Sequence, residues 1–176
     1  MRVISGKYKG KKLEGVNLIG TRPTKDRVKE SMFAIINPYL FNTTCLDLFA
    51  GTGALGIEAL SNGAKEAYFN ELDNQTYQVL LTNLTNVKGV KTTNLDYKQA
   101  IKYYQDNNLT FDIIFLDPPY AFNYQLLLSS IVNITNKDSL IIVESEKPLV
   151  ITQDFKIIKQ KSYGNTSVNI LKTSSE

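Results

Sequence analysis

One stretch of the sequence constrains the fold more than any other: an apolar run that passes into a glycine-rich turn and then into a helical pattern. It reads Cys45-Leu46-Asp47-Leu48-Phe49-Ala50-Gly51-Thr52-Gly53-Ala54-Leu55-Gly56. A strand, a tight turn and a helix in this order favour a nucleotide site, because glycines let a ligand approach the backbone closely. By itself, the Gly51-x-Gly53-x-x-Gly56 pattern is as often a simple helix start, so its meaning depends on the rest of the chain.

Further apolar runs recur along the chain with helical patterns between them. They predict strands at Cys45–Phe49, Ala67–Phe69, Val90–Thr92, Ile113–Leu116 and Leu140–Val143. This alternation predicts βαβ units and a parallel sheet with helices on both faces. Helices are expected at Asp26–Leu40, Gly53–Asn62 and Asn74–Thr85, and two final strands, Phe155–Lys159 and Ser167–Leu171, should form an antiparallel hairpin around Gly164-Asn165. The expected fold is therefore an α/β fold with a seven-stranded, mostly parallel sheet.

The residue types that are present exclude several kinds of chemistry. The chain of 176 residues has no histidine and a single cysteine, which excludes the usual zinc sites and any nucleophile activated by histidine. That cysteine, Cys45, is expected to be a small buried side chain. No run approaches the roughly 18 apolar residues of a membrane-spanning helix, and the first residues lack a secretion signal, so a cytoplasmic protein is expected. The length fits one domain over residues 1–176 and a monomer.

Acidic residues after the predicted strands indicate a cofactor site. Glu71 ends the second strand, 20 residues after Gly51, where a carboxylate can accept both hydroxyls of a ribose. Asp47 in the first strand would repel a pyrophosphate but could hold a cationic amino-acid tail, and S-adenosylmethionine carries such a tail. Asp96 follows the third strand, where it either accepts the adenine amino group or caps the next helix. The predicted cofactor contacts are Asp47, Phe49, Gly51, Thr52, Gly53, Glu71, Leu72, Asp96 and Tyr97.

The tetrapeptide Asp117-Pro118-Pro119-Tyr120 follows the fourth apolar run and is the predicted catalytic loop. The exocyclic amine of a base is a poor nucleophile, because its lone pair is delocalised into the ring. Hydrogen-bond acceptors for the amine hydrogens favour a pyramidal nitrogen, and the Asp117 carboxylate and the Pro118 carbonyl are suited to this task. Pro119 stiffens the loop and Tyr120 offers a ring for stacking on the base. The pattern predicts methyl transfer to a nucleobase nitrogen.

Positive charge is concentrated at the start of the chain. Residues 1–30 contain nine Lys or Arg residues and three acids, so this segment carries +6 while the whole chain carries +3. Such a segment is typical of a surface that contacts a phosphate backbone, although a solvated lysine-rich hairpin is equally compatible with the charge. We expect residues 1–20 to form a basic β-hairpin extension. The predicted RNA contacts are Lys7, Lys9, Lys11, Lys12, Arg22 and Arg27.

These motifs together resemble the bacterial 16S ribosomal RNA guanine-N2 methyltransferases. The most specific part is Thr21-Arg22-Pro23-Thr24-Lys25-Asp26-Arg27-Val28-Lys29-Glu30-Ser31-Met32-Phe33, supported by Arg2 to Gly6, Lys9 to Leu13, Leu46 to Leu60, Asp117 to Tyr120 and Val143 to Glu146. The resemblance implies a Rossmann-like class I methyltransferase fold, S-adenosylmethionine as donor, and a guanine of 16S rRNA as acceptor, in the small subunit or an assembly intermediate. It implies cofactor contacts at Gly51, Gly53 and Glu71. Arg22, Thr24 and Arg27 would then contact cofactor or RNA, or simply start a helix.

Two other functions are compatible with the residues alone. An adenine-N6 methyltransferase of DNA or RNA would use the same Asp117 loop, because adenine also carries an exocyclic amine. An RNA-binding assembly factor would keep the cofactor fold without turnover, although the intact catalytic loop argues against this. The sequence does not identify the target nucleotide.

Overall fold

The computed structural model describes residues 1–16, 23–119, 122–146 and 148–174. The described part contains seven strands and five α-helices. The strands are β1 (Thr44–Asp47), β2 (Glu66–Asn70), β3 (Val90–Thr93), β4 (Phe111–Leu116), β5 (Thr135–Ser145), β6 (Phe155–Tyr163) and β7 (Thr166–Thr173). The helices are α1 (Pro23–Ile36), α2 (Ala54–Ser61), α3 (Asn74–Asn83), α4 (Tyr97–Asp106) and α5 (Tyr124–Ile131), with short 3₁₀ turns at Asn37–Tyr39 and Val132–Ile134.

All seven strands form one sheet in the order β3-β2-β1-β4-β5-β7-β6. The first five strands in sequence pair in parallel, and β7 pairs antiparallel with both β5 and β6. The strand order reverses between β1 and β4, which are paired through Asp47 and Phe115. In open α/β sheets, ligands bind outside the carboxyl ends of the strands at such a reversal. This topology confirms the predicted mostly parallel sheet with a terminal antiparallel hairpin.

Alternation along the strands divides the core into two layers, one on each face of the sheet. On one face, β1 and β4 residues pack with α1, α2 and α3 in a cluster that includes Phe33, Ile57, Leu80 and Phe115. On the other face, Leu46 and Ile114 pack with residues of α4 and α5. Cys45 is fully buried in the first layer, as predicted, and burial raises the pKa of its thiol to about 12.

The N-terminal segment folds back on itself and packs against α1 and α2. Arg2 and Lys12 form an antiparallel bridge, and Val3 and Leu13 are buried in the core. A buried ion pair anchors this segment, with 3.2 Å between Lys29 Nζ of α1 and Glu58 Oε1 of α2. Glu58 also accepts hydrogen bonds from the N–H groups of residues 4 and 5. This polar centre is not predictable from the sequence, because nothing in the pattern distinguishes its residues from surface charges.

Several element boundaries differ from the predictions. The first strand ends at Asp47 rather than Phe49, and the first helix ends at Ile36, where a 3₁₀ turn with Pro38 replaces its last residues. The strand β5 has 11 residues, Thr135–Ser145, whereas only its apolar centre was predicted. Its first half is polar and more exposed, and the pairing with β4 is irregular there, so hydrophobicity gives no signal for it. The final hairpin turns at Gly164, which has a φ of +58°.

Candidate functional site

The glycine loop connects β1 to α2 at the carboxyl edge of the sheet. Gly53 is the N-cap of α2 with a φ of +88°, a left-handed conformation that favours glycine. At Gly56, a Cβ atom would lie 2.2 Å from a ring carbon of Phe69, so only glycine lets the first turn of α2 pack this closely on β2. A Cβ added at Gly51 would meet no atom within 4 Å, so the front of the loop is open. The loop combines a tightly packed back with a backbone that a ligand can approach.

Asp47 lies beneath this loop rather than in front of it. Its side chain is buried, and its Oδ2 atom accepts a hydrogen bond of 3.1 Å from the N–H of Gly56 in the first turn of α2. Burial, followed by the nearby charges of Asp117 and Glu71, raises the pKa of Asp47 to about 7, while the Gly56 N–H opposes the shift. Asp47 therefore caps α2 from below and holds the glycine loop against β1. Its predicted contact with a cationic tail stays a prediction.

Glu71 connects the end of β2 to the glycine loop. Its Oε1 atom accepts the N–H of Gly51 at 2.9 Å, and its Oε2 atom accepts the N–H of Asp73 at the same distance. The side chain is half-buried, and the following Leu72 is 63% exposed. The neighbouring Thr52 contributes its carbonyl oxygen to a bond from the Asn83 amide. The structure thus brings Asp47, Gly51 and Glu71 together, as expected for residues after adjacent parallel strands.

Asn70, which the sequence analysis missed, ties three strand ends together beneath this site. Its amide donates to the carbonyl oxygens of Leu48 and Leu95, at 3.3 and 2.9 Å. Its side-chain oxygen accepts from the Thr93 hydroxyl at 2.7 Å and the Leu95 N–H at 3.3 Å. Its own carbonyl accepts the N–H of Ala50. A buried asparagine with both side-chain ends bonded fixes the two loops that it joins.

A group of three aromatic rings lies where β1 and β3 end. The rings of Phe49, Tyr97 and Phe122 have centroids 5.2 to 5.6 Å apart, and each is partly buried. Tyr97 begins α4, and the preceding Asp96 caps that helix by accepting the Lys98 N–H at 2.9 Å. This is the capping role that the sequence left as an alternative to adenine binding. Phe49 and Tyr97 thus lie together. Phe122 packs against both rings, so the segment that follows the predicted catalytic loop lies beside them.

The predicted catalytic loop begins at the carboxyl end of β4. Asp117 is half-buried, Pro118 is buried and Pro119 is exposed. Tyr120 lies outside the described residues. Tyr124 of α5 donates a hydrogen bond of 3.2 Å to the Glu144 carbonyl, which joins α5 to β5. Burial and then the negative charges of Asp117 and Glu144 raise the pKa of the Tyr124 hydroxyl to about 12, so it stays a hydrogen-bond donor at neutral pH.

The predicted RNA contacts occupy different parts of the molecule. The tip of the N-terminal hairpin lies at the end of α2, where the Lys7 N–H donates to the Ser61 carbonyl at 2.8 Å, and the Lys11 ammonium donates to the Thr85 carbonyl. Because α2 begins at the carboxyl edge and runs back along the sheet, its last residue Ser61 lies toward the opposite edge from the catalytic loop. Lys9 and Lys12 are exposed on this hairpin, Arg27 is exposed on α1, and Arg22 lies outside the described residues.

Two features of the described residues concern metal ions and membranes. In residues 1–16, 23–119, 122–146 and 148–174, no group of three or more His, Cys, Asp or Glu side chains could hold a metal ion. Across the same described ranges, no helix combines the length and apolar character needed to cross a membrane.

Comparisons with known proteins agree with this architecture. A family model described as "Conserved hypothetical protein 95" matches residues 1–172. The ribosomal RNA small subunit methyltransferase D of Haemophilus influenzae is 38% identical over 97% of this chain and 92% of its own length. The Escherichia coli protein of the same name is 36% identical over 83% of this chain and 75% of its own.

Among solved structures, the Escherichia coli protein yhhF, provisionally described as a methyltransferase, superposes with a TM-score of 0.87. It is 29% identical and covers 100% of this chain and 99% of its own. The sheet and helices described above are those of a Rossmann-like class I methyltransferase. The chain therefore belongs to the family described as conserved hypothetical protein 95, which includes proteins named ribosomal RNA small subunit methyltransferase D, and this confirms the family resemblance of the sequence.

Proposed function

We propose that this protein transfers a methyl group from S-adenosylmethionine to the exocyclic N2 amine of a guanine in 16S rRNA. It is an S-adenosylmethionine-dependent methyltransferase that acts on ribosomal RNA of the small subunit, and the names of its relatives support this substrate. The observation that carries the proposal is the position of Asp117, Pro118 and Pro119. They follow β4 directly, at the reversal of strand order beside β1 and its glycine loop.

The residues at this edge suit the charge of S-adenosylmethionine. Asp47, Glu71 and Asp117 lie close enough for the charges of the last two to raise the pKa of the first. Such a negative site favours a ligand with a sulfonium and an ammonium group, and it disfavours the pyrophosphate of a dinucleotide. The open face of Gly51 leaves space for close approach. The proposed cofactor contacts are Asp47, Phe49, Gly51, Thr52, Gly53, Glu71, Leu72, Asp96 and Tyr97.

The catalytic residues act on the amine of the base. When bound, S-adenosylmethionine supplies a methyl group activated by its positively charged sulfur. The Asp117 carboxylate and the Pro118 carbonyl accept the amine hydrogens, which directs the nitrogen lone pair toward that methyl group. As the new N–C bond forms, the C–S bond breaks with its electron pair left on sulfur, and the nitrogen loses one of its hydrogens as a proton. Pro119 restricts the loop, and Tyr120 provides a ring on which the base stacks. Orientation of two reactants in one site supplies much of the rate enhancement, and no metal is required.

The cellular setting of the reaction follows from the same proposal. The substrate is 16S rRNA within the small subunit or an assembly intermediate, and Lys7, Lys9, Lys11, Lys12, Arg22 and Arg27 contact its phosphates. The protein acts in the cytoplasm, where ribosomal subunits assemble, and it acts as a monomer with one domain over residues 1–176.

A methyl-transfer assay with nucleoside analysis tests this function. The purified protein is incubated with S-adenosylmethionine and either 16S rRNA or small subunits from cells that lack the protein, and the RNA is digested for mass spectrometry. We expect N2-methylguanosine at one position. N6-methyladenosine would favour the adenine methyltransferase instead, and absence of any methylated nucleoside with retained RNA binding would favour an assembly factor without turnover.

A further inference from the structure

A row of lysines lies along the outermost strand of the sheet. In the described part of the chain, β6 is the last strand in the sheet order and pairs with β7 alone, and its residues 156–162 are all exposed. It carries Lys156, Lys159 and Lys161. Within the described ranges, the ion pairs of the structure are Lys29–Glu58 and Lys102–Asp106, and neither involves this strand. The three ammonium groups are therefore exposed and form no ion pair with a described residue.

An irregularity in β6 places these lysines on one face of the sheet. Lys156 pairs with Lys172 and Ile157 with Leu171, but the next pair joins Lys159 to Ile170, so Ile158 is an extra residue. Without this bulge, positions 156 and 159 would point to opposite faces, because side chains alternate along a strand. With it, the lysines at 156, 159 and 161 are opposite Lys172, Ile170 and Val168, which share one face of β7.

This face is the one that α1 covers. Val168 and Ile170 are buried in the same core layer as Met32 and Phe33 of α1. The lysine row lies beside that helix, and it ends at Tyr163, whose hydroxyl contacts the Ser31 hydroxyl of α1. Adjacent members of the row after the bulge are roughly 6.6 Å apart along the strand, from the rise of about 3.3 Å per residue.

The row leads toward the candidate catalytic loop. Both β5 and β6 run antiparallel to β7, so they run in the same direction as each other. Lys161 and Tyr163 therefore lie toward the carboxyl edge of the sheet, where β4 ends at the Asp117 loop. The N-terminal hairpin, by contrast, has its tip at the end of α2. Among the residues that the structure describes, this row of lysines therefore extends along the sheet toward the proposed reaction site.

The arrangement has a cost in stability. Lysines on an edge strand also prevent pairing with other sheets. Here Lys156 is directly opposite Lys172 on β7, and like charges in such cross-strand pairs are destabilising. The bulge adds further positive charge to the same face. Repulsion within the row is relieved when a polyanion binds across it.

We propose that the lysine row, Lys156, Lys159, Lys161 and Lys172, is a binding surface for the phosphate backbone of the RNA substrate. The surface rests on the proposed function, and it assigns a path for the RNA strand along β6 and beside α1 to the Asp117 loop. Positive charges spaced along an extended strand contact successive phosphates and contribute affinity without sequence preference. The base to be modified then enters at the carboxyl edge.

A triple substitution tests this surface against a matched control. The test variant carries Lys156→Gln, Lys159→Gln and Lys161→Gln, and the control carries Lys65→Gln, Lys91→Gln and Lys102→Gln, which are exposed lysines scattered over other elements. Both lose the same net charge. Binding of in vitro transcribed 16S rRNA is measured between 50 and 200 mM salt, with S-adenosylmethionine binding and thermal unfolding measured on the same preparations.

We expect the test variant to bind RNA about tenfold more weakly at physiological salt, with the slope of log K against log salt reduced in magnitude by about 2, as for the loss of two to three phosphate contacts. The control should keep the wild-type slope, and cofactor binding should be unchanged in both variants. Equal salt slopes in the two variants would overturn the proposal. A test variant that self-associates but keeps the wild-type salt slope for RNA binding would also overturn it. Wild-type protein that binds S-adenosylmethionine but no RNA would contradict the proposed function itself.

Discussion

The carboxyl edge of the sheet and its outer strand β6 carry opposite charges. At the edge, Asp47, Glu71 and Asp117 lie close enough to influence one another, and two of them accept hydrogen bonds from backbone N–H groups of the glycine loop region. Along β6, lysines share one face and are exposed. The reaction needs a cationic donor and a polyanionic acceptor, so each region has the charge that complements one of its two ligands. Separate regions can bind the ligands without competing for the same charges.

The largest effect that this comparison predicts is from Asp117→Ala. If Asp117 orients the amine as proposed, removing its carboxylate should lower the rate of methyl transfer by about 10³-fold or more, because the amine is then no longer held in a reactive geometry. S-adenosylmethionine affinity should change by no more than a few fold in a calorimetric titration. Asp106→Ala, which removes an exposed carboxylate of α4, is the control. Loss of cofactor binding together with activity would assign Asp117 to the cofactor site instead.

The next largest effect should follow Glu71→Gln. The neutral amide leaves one acceptor for the Gly51 N–H but removes the charge and one acceptor from the predicted ribose site, so S-adenosylmethionine affinity should fall by roughly 30-fold. RNA affinity should stay the same, since the acidic edge and the lysine row act on different ligands. Glu66→Gln at the start of β2, the strand that Glu71 follows, is the matched control. Equal losses of S-adenosylmethionine affinity in both variants would show that negative charge near β2 contributes without a specific role for Glu71.

A smaller effect is expected from Asn70→Leu. The substitution keeps the volume of the side chain but removes its bonds to Leu48 and Leu95, so the loops that carry the cofactor residues lose their fixed spacing. We expect the KM for S-adenosylmethionine to rise about tenfold, with a smaller change in kcat. Asn169→Leu is the control, because Asn169 is also buried and its amide bonds the Val143 carbonyl and the Ser145 hydroxyl. If both variants lose stability but neither raises KM, Asn70 is only structural.

The smallest effect concerns pH and Asp47. The pKa of this carboxyl is raised from its ordinary value of 3.8 to about 7 in the folded protein. Between pH 3.8 and about 7, the folded state therefore retains a proton that the unfolded state loses. Stability from this group therefore falls as pH rises between those values, by up to about 1.4 kcal/mol per pH unit. Asp47→Asn keeps an acceptor for Gly56 without the titration. Urea titrations give the free energy of unfolding of the variant and of wild type at each pH. The variant value minus the wild-type value should rise by about 1 kcal/mol between pH 6 and 8. A difference that does not vary with pH would contradict a raised pKa.

Much of this fold was predictable, because hydrophobic runs and glycines determine where parallel strands and their turns lie. The strands around Leu46, Phe69 and Ile114 are buried in the sheet and gave clear signals. The positions of Glu71 and Asp117 followed from the rule that side chains after parallel strands gather at one edge. By contrast, the first half of β5 is polar and was missed, because it is held by hydrogen bonds and not by apolar burial.

The site was less predictable where a side chain bonds the backbone of a distant loop. Asn70 and Glu58 have no sequence signature, since the backbone groups that their side chains bond lie 22 or more residues away and only the fold brings them together. The bulge at Ile158 is equally invisible in the sequence, although it determines which face the lysines of β6 share. For Asp47, the sequence predicted a cofactor contact but not its bond to Gly56 beneath the loop.

A crystal structure of the protein with S-adenosylhomocysteine bound would show directly whether the cofactor and the Asp117 loop meet. We expect the ligand to lie at the carboxyl edge between the ends of β1 and β4, with its ribose hydroxyls on Glu71 and its sulfur facing the Asp117 carboxylate and the Pro118 carbonyl. A ligand bound elsewhere, or a loop whose Asp117 and Pro118 oxygens point away from the sulfur, would contradict the proposed reaction site.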